Sequence, residues 1–463
     1  MPAPPSFSRA AALVACTLTV SLGTTVLHAE TPASLPPPLA PVLERPSPEL
    51  KVGMVSLAPL LRDATLTLHL RTFYYDGTQN KSTENEAWTG GGWLGYRSGW
   101  LLDTFGIGAI VYGSAPFSAP ADKDGTFLLK PGQKGYVALG EAYGALRYHD
   151  YMLLTGYRQL VDQGYINPSD IRMTPYTFEG ITLGGEVGVV QYLAGYLWKI
   201  KPRNADTFIS MAEQAGAKGS NGGVGLIGVQ LAPAPSLWID VSNQYGIDTF
   251  NTAYAKVDYR YRLNGDWAVG LGAEFTDQRA VGDALVANAA AKKWSTQVGG
   301  ARAQLIYRDL TLTGAFSVTG SGNTIQNPWG TYPGYLALID APAAENFARA
   351  NEKAWLIGAV YDFSRLVVPG LTGTFNFAWG TGAIDPQTQA GEPDQREYNF
   401  KIDYRPPWLA STILRGLGLT VRSALYDEKG ASRRSRQLHV ILNWQWDILT
   451  AAGGTSGKSV KAR

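Results

Sequence analysis

A set of basic side chains recurs on one parity of the chain's alternating segments: Arg71, Arg147, Lys256, Arg260, Arg262, Arg302, Lys401, Arg405 and Arg422. A guanidinium is a planar fork that grips a carboxylate through two parallel hydrogen bonds, whereas a lysine ammonium is a compact point charge. A row of such groups facing water offers carboxylate-bearing solutes a series of weak sites, each left as easily as it is entered. Taken singly, each group can instead pair with a nearby carboxylate, such as Asp258 or Asp403, and only brace the wall that carries it. Catalysis finds no comparable support. Beyond residue 30 the imidazoles are His69, His149 and His439, and neither a G-x-S-x-G elbow nor an H-E-x-x-H pair occurs. The single cysteine, Cys16, lies in the N-terminal leader, so the chain after it has neither a disulfide frame nor a cysteine zinc site. No metal or cofactor is called for.

The elements that carry these residues are strands. In A64-T-L-T-L-H-L-R-T-F-Y-Y75, Leu66, Leu68 and Leu70 share one face, and Thr65, Thr67, His69 and Arg71 share the other. In K256-V-D-Y-R-Y-R-L263, Lys256, Asp258, Arg260 and Arg262 oppose Val257, Tyr259, Tyr261 and Leu263. The same alternation runs through 267–275, 371–379, 398–405 and 436–447. Some 16 to 20 such segments can be counted. The connections between them alternate between tight turns (His149-Asp150, Ala234-Pro235, Asn264-Gly265-Asp266, Arg308-Asp309) and long polar loops (113–134, 159–180, 278–293, 320–351, 381–395). Charged groups at this density cannot be satisfied in a packed core, so the wet faces must look into water and the oily faces out to lipid. No stretch after residue 30 approaches 18 consecutive apolar residues, so only a closed barrel could take this chain across a bilayer. The fold expected is all-β: a transmembrane antiparallel β-barrel with an even number of strands, short periplasmic turns and long extracellular or inward-folded loops. The 53 glycines, 13 tryptophans and 24 tyrosines suit its turns and aromatic girdles, to which Trp267, Trp294, Trp379, Trp408 and Trp444 are assigned. A formal charge of +2 gives no reason to expect nucleic acid as a partner.

Residues 1–29 read as a secretory signal: Arg9, an apolar or small run from Ala10 to Leu27, and Leu27-His28-Ala29 before the cut. Leu13-Val14-Ala15-Cys16 is a competing lipoprotein-like box. Residues 30–60 form a proline-rich tether, 61–449 the barrel and 450–463 a polar tail.

Three stretches resemble the OprD family of outer-membrane porins. The first is M173-T-P-Y-T-F-E-G180 with the strands up to L197-W-K-I-K-P-R-N204. The second is Y332-P-G-Y-L-A-L-I-D-A341 and the proline after it, with N346-F-A-R-A-N-E-K-A-W355 and V360-Y-D-F-S-R-L-V-V-P-G-L371. The third is L417–Y426 with Q437–W444. The resemblance implies about 18 strands, a monomer or weak homotrimer, and insertion by the barrel-assembly machinery into the outer membrane of a Gram-negative bacterium. It also implies an arginine ladder that guides small carboxylate-bearing solutes. Two departures stand out. Asn351 occupies a position where the family usually has glycine, and a polar tail follows Trp444, Trp446 and Ile448 where barrels generally end on an aromatic residue.

By position and resemblance, the 159–180 loop is the expected constriction. Its candidates are Arg158 and Arg172, Asp162, Asp170 and Glu179 as acidic partners, and Tyr176 and Phe178 as a greasy slide or as anchors to the wall. Three other readings remain open at this stage: a general-diffusion porin without solute preference, an outer-membrane barrel enzyme, and a soluble secreted β protein.

Overall fold

The computed structural model of the chain describes residues 59–79, 83–286, 294–333, 346–366, 368–410, 412–430 and 434–449. The expected signal segment, the tail and nearly all of the tether lie outside these residues, as does the 334–345 part of the second family-like stretch.

The strands are β1 (Thr65–Gln79), β2 (Thr83–Arg97), β3 (Phe105–Ser118), β4 (Tyr136–Tyr148), β5 (Met152–Gln159) and β6 (Thr177–Val187). They continue as β7 (Val190–Lys201), β8 (Ile209–Ser210), β9 (Val224–Ala234), β10 (Leu237–Gly246), β11 (Phe250–Arg262), β12 (Trp267–Ala280) and β13 (Ser295–Tyr307). The last are β14 (Leu310–Thr319), β15 (Lys353–Asp362), β16 (Leu371–Thr381), β17 (Gln395–Tyr404), β18 (Gly418–Glu428) and β19 (Arg434–Leu449). Each barrel strand pairs antiparallel with its neighbours, and β1 pairs with both β2 and β19, which closes the sheet on itself. The two-residue β8 only caps the end of β7, where β9 stops, so eighteen strands make the ring. Closure removes every free edge, as hydrocarbon requires of a backbone that must bond to itself. Among the described residues the α-helices are two single turns, Pro59–Arg62 and Met211–Gln214.

The register decides which face is which. On β1, Leu70 is exposed while Thr67, His69, Arg71, Phe73 and Tyr75 are buried. On β19, Leu438 and Leu442 are exposed, and Gln437, His439, Ile441 and Asp447 are buried. Val257, Tyr259 and Tyr261 of β11, Leu271 and Phe275 of β12, and Phe400 and Ile402 of β17 are likewise exposed. The oily face therefore looks outward, the inverse of a soluble sandwich.

The tight turns sit where expected. His149 (φ 50°) and Arg308 (φ 48°) take the left-handed conformation that reverses the chain in two or three residues, and Asn264 Oδ1 accepts from the backbone N–H of Asp266 and Trp267. The alternation in length is less regular than the sequence suggests. The turn side also carries 98–104, 363–370 and 405–417, and the loop side includes the short 247–249. At Gly92 (φ +131°) a Cβ would stand 1.9 Å from the His69 carbonyl oxygen, so β1 and β2 can approach only with glycine there.

The inner face is not uniformly wet. Under the long loops it is apolar: Phe178, Leu197, Ile200, Leu226 and Phe250 from the wall meet Val161, Ile166, Met211, Val286, Trp294 and Trp329 from the loops. Phe250 stacks on Trp329 at 4.9 Å, and the Trp329 indole donates to the Met211 carbonyl at 2.8 Å. Trp294, assigned from sequence to a girdle, is a buried member of this inner cluster. A strand position does not reveal that loops will fold back over it.

Candidate functional site

Residues 160–176 leave β5 and re-enter at β6, and along the way they touch opposite walls. Gln163 donates to Asp240 of β10 at 3.1 Å, and the Tyr165 hydroxyl shares a 2.9 Å hydrogen bond with Thr276 of β12. A few residues later, Asp170 receives both arms of Arg71 on β1 at 2.7 and 3.0 Å. In an eighteen-strand ring β11 stands nine places from β1, so this loop crosses the lumen. A second loop braces it: Asn167 donates to the Thr331 carbonyl at 2.8 Å and its Oδ1 accepts from the Thr331 N–H at 2.8 Å. Buried Val161, Tyr165, Ile166, Met173 and Tyr176 supply the apolar footing.

Where the loop meets β1, basic groups gather. Arg71 also donates to Asn443 of β19 at 2.6 Å and lies 5.6 Å from the Trp93 ring. Arg172 donates to the Thr126 carbonyl at 3.1 Å, 5.5 Å from the Tyr75 ring. Arg203, from the loop after β7, covers the Tyr176 ring at 5.0 Å and reaches Ser169 at 3.3 Å. One cross-strand row of the inner face reads Lys401, Arg422, His439, Tyr75. Burial pushes the Arg172 guanidinium down to about 10, and Arg203 and Arg422 push the same way, as like charges crowded together must. Burial alone would raise the Asp170 carboxyl, but the Arg71 guanidinium outweighs it and holds Asp170 below its ordinary value. The Asp170 side chain remains 40% exposed, so the ion pair borders open lumen.

A second basic group lies on the far wall. Arg302 pairs with Asp258 at 2.7 Å, and Lys256 stands 3.6 Å from the same carboxylate. Arg260 shares this face, and its buried Nη1 has no hydrogen-bond partner among the described residues. Asp162 of the crossing loop lies in the field of Asp240 and Lys256; burial, with Asp240 adding, pushes its carboxyl up to about 6.

The basic residues expected as a ladder thus fall largely into two groups on opposite walls, and several of them stand elsewhere or are taken up in bracing pairs. Arg147 is bound at the turn-side rim, against Asp103 and 4.3 Å from the Trp100 ring. Arg262 and Arg405 are exposed at strand ends beside turns. Lys401 pairs with Asp403 at 3.2 Å, a bracing contact. Arg158 and Glu179 pair with each other at 2.9 Å, on the outer parity. Their neighbours Gln159 and Thr182 bond to each other on the inner face, while Ile181 and Leu183, which share the parity of Glu179, are exposed. Arg158 and Glu179 thus belong to the loop-side ends of β5 and β6 and not to the 160–176 segment itself. Phe178 is fully buried and Tyr176 nearly so, which makes them anchors and not a slide. Arg203 and Asn443 were missed. The only signal for Arg203 was the basic run K-I-K-P-R at the end of β7, and a lone asparagine carries no signal at all.

Asn351 adopts φ 62° and donates to the Gly382 carbonyl at 2.8 Å. After glycine, asparagine is the residue that best tolerates this conformation, which accounts for the departure noted in the sequence. Arg349 and Glu352 pair beside it at 2.9 Å.

The sequence model described as outer membrane porin, OprD family, matches residues 59–448. A search of curated proteins finds no match. Among solved structures, Pseudomonas aeruginosa OpdK with vanillate superposes with a TM-score of 0.72 at 20% identity, covering 84% of this chain and 100% of that one. P. aeruginosa OccK9 (OpdG) gives 0.74 at 21%, covering 84% and 100%, and Acinetobacter baumannii OccAB2 gives 0.74 at 20%, covering 85% and 100%. At such identities these likenesses speak for the fold, while the family pattern runs along the whole barrel. The chain accordingly belongs to the OprD family: it is a porin of a Gram-negative outer membrane, a channel and not an enzyme.

Proposed function

We propose that this porin passes small carboxylate-bearing solutes selectively, guided by Arg71, Arg172, Arg203 and Arg422 where the crossing loop meets the β1–β18–β19 wall. The observation that carries the reading is the crowding of these guanidiniums at the narrowing made by residues 160–176, where Asp170 engages Arg71. A carboxylate arriving there meets forks already oriented by the Thr126 carbonyl, Ser169 and Asn443, so little side-chain entropy is lost on contact. Asp170 competes for Arg71 and keeps each contact weak, as conduction requires. On the opposite wall, Lys256, Arg260 and Arg302 offer a second stage. That one structural neighbour was solved with vanillate, an aromatic carboxylate, fits this chemistry. We further propose that residues 1–29 are removed on export and that 30–60 serve as a proline-rich tether to the barrel.

The test is single-channel conductance in a planar bilayer, with and without a millimolar aromatic carboxylate. The wild type should show a small conductance that the carboxylate blocks. Arg172→Gln with Arg422→Gln should weaken that block about tenfold, in line with the loss of charge-assisted hydrogen bonds. A large conductance indifferent to the carboxylate in both proteins would leave a general-diffusion pore.

A further inference from the structure

On the outer face, at the end that bears the long loops, aromatic rings give way to cations. One cross-strand row reads Phe316, Trp355, Trp379, Arg396, Asp427, Arg434 from β14 to β19. The next row towards the membrane reads Phe377, Tyr398, Leu425, Arg436. Parity places these side chains outward, since Tyr398, Phe400, Leu425 and Leu438 on the same strands are exposed. Asp427 receives Arg396 at 2.7 Å and Arg434 at 3.0 Å, yet the two arginine side chains remain 54% and 71% exposed. Arg436 donates to Thr78 at 3.0 Å, and exposed Lys353 flanks the row on β15. Among the described strand residues at this rim of β15–β19, four outward cations thus face one outward carboxylate. Two features bound the patch. Asp76, Glu84 and Glu86 lie on the outward parity of β1 and β2, with Lys123 holding the two glutamates at 3.0 and 2.7 Å. Further round, Arg279 is neutralised by its own Asp277 at 2.6 Å.

We infer that this patch is a docking surface for a phosphorylated glycolipid of the outer leaflet. Its acyl chains would lie on Leu425, Leu438, Tyr398 and Phe400, and its phosphates would bridge Arg396, Arg434 and Arg436. Charge complementarity and continuity with the lipid-facing belt select this occupant. A membrane anion meets the patch from the side, at headgroup height, whereas a solute in transit never passes the outer wall. Asp427 sets the spacing of the flanking guanidiniums and leaves their outer N–H groups for phosphate oxygens. The assignment rests on the barrel's orientation and not on its solute preference, so it stands or falls apart from the carboxylate reading.

Native mass spectrometry of the detergent-solubilised barrel tests it, with bisphosphorylated lipid A as probe and its dephosphorylated form as control. The wild type should retain the phosphorylated lipid at least about tenfold better than the control, as several cations near anionic headgroups imply. Arg396→Gln with Arg434→Gln and Arg436→Gln should abolish that preference, while Arg279→Gln should keep it; heat-modifiable gel migration confirms that each variant is folded. Equal retention of both lipids would overturn the proposal in favour of acyl contact alone, and displacement by millimolar inorganic phosphate would reduce the patch to a free-anion site. Unchanged lipid binding in the triple variant, or a change only in the number of barrel copies in the particle, would overturn it as well.

Discussion

Two carboxylates show how differently a charge can be used inside one pore. Arg71 is buried, yet its partner Asp170 borders open lumen, so the pair both fastens the loop and presents an edge to the solute. Asp170→Asn keeps the shape but removes the charge that draws Arg71 into the pair. Carboxylate block should then strengthen, since a further guanidinium, that of Arg71, is released to the solute, and dose–response curves of the blocked current would measure it. Asp162 carries a pH dependence. Its folded pKa, about 6, lies above the ordinary 3.8, so the folded barrel holds this proton more tightly than the unfolded chain does. The stabilising contribution is complete at low pH and is lost as pH rises through about 6. As the carboxyl neutralises, the lumen also becomes less negative. The anion-to-cation permeability ratio from reversal potentials should therefore rise between pH 7 and pH 5, and Asp162→Asn should flatten that rise.

At the scale of elements, the decisive object is the loop at 160–176, and its span across the lumen is held at few points. Asn167→Ala removes all three side-chain bonds to Thr331 while leaving the Arg71–Asp170 and Tyr165–Thr276 contacts in place. The loop should stay in the pore but move more, which bilayer recordings would register as added open-channel noise and a modestly larger conductance. In the 346–352 segment, Asn351 holds a left-handed backbone conformation. Asn351→Val forces a β-branched residue into the left-handed region, at a cost of about 1–2 kcal/mol, while Asn351→Gly should change stability by less than about 1 kcal/mol. Urea unfolding of the detergent-solubilised protein distinguishes the two. Equal stability of both variants would mean that Asn351 and the segment it anchors contribute little.

For the whole molecule, stability depends on which solvent each face meets. Leu271 is an outward residue near the middle of β12. Leu271→Arg should cost about 2–4 kcal/mol in unfolding from lipid vesicles if this position lies near the bilayer midplane. Gln304→Lys, on the inner face of β13, should leave stability nearly unchanged and alter only ion selectivity. If the inner substitution proved the more damaging, the assignment of faces would be inverted.

The chain's own order of residues determined the barrel. Period-two alternation sets both the strands and their faces, and a one-residue slip would turn every Leu of β19 into the lumen, so the register could be read from Leu438, Val440 and Leu442 without a structure. The tight turns at His149-Asp150 and Asn264-Gly265-Asp266 were legible for the same local reason, and so were Arg71, Lys256 and Arg302 as inward residues. Only the tertiary structure decided which loop crosses the pore, where it lands and which charges it meets. Asp170 and Arg71 are separated by 99 positions in the chain, and Arg203 reaches Ser169 from a different loop. Contacts of that kind depend on ring closure and on how far each loop reaches, and neither leaves a periodic trace. The outward parity of Arg158 and Glu179 and the burial of Trp294 went unread because loop boundaries and inward folding are set by packing against distant strands.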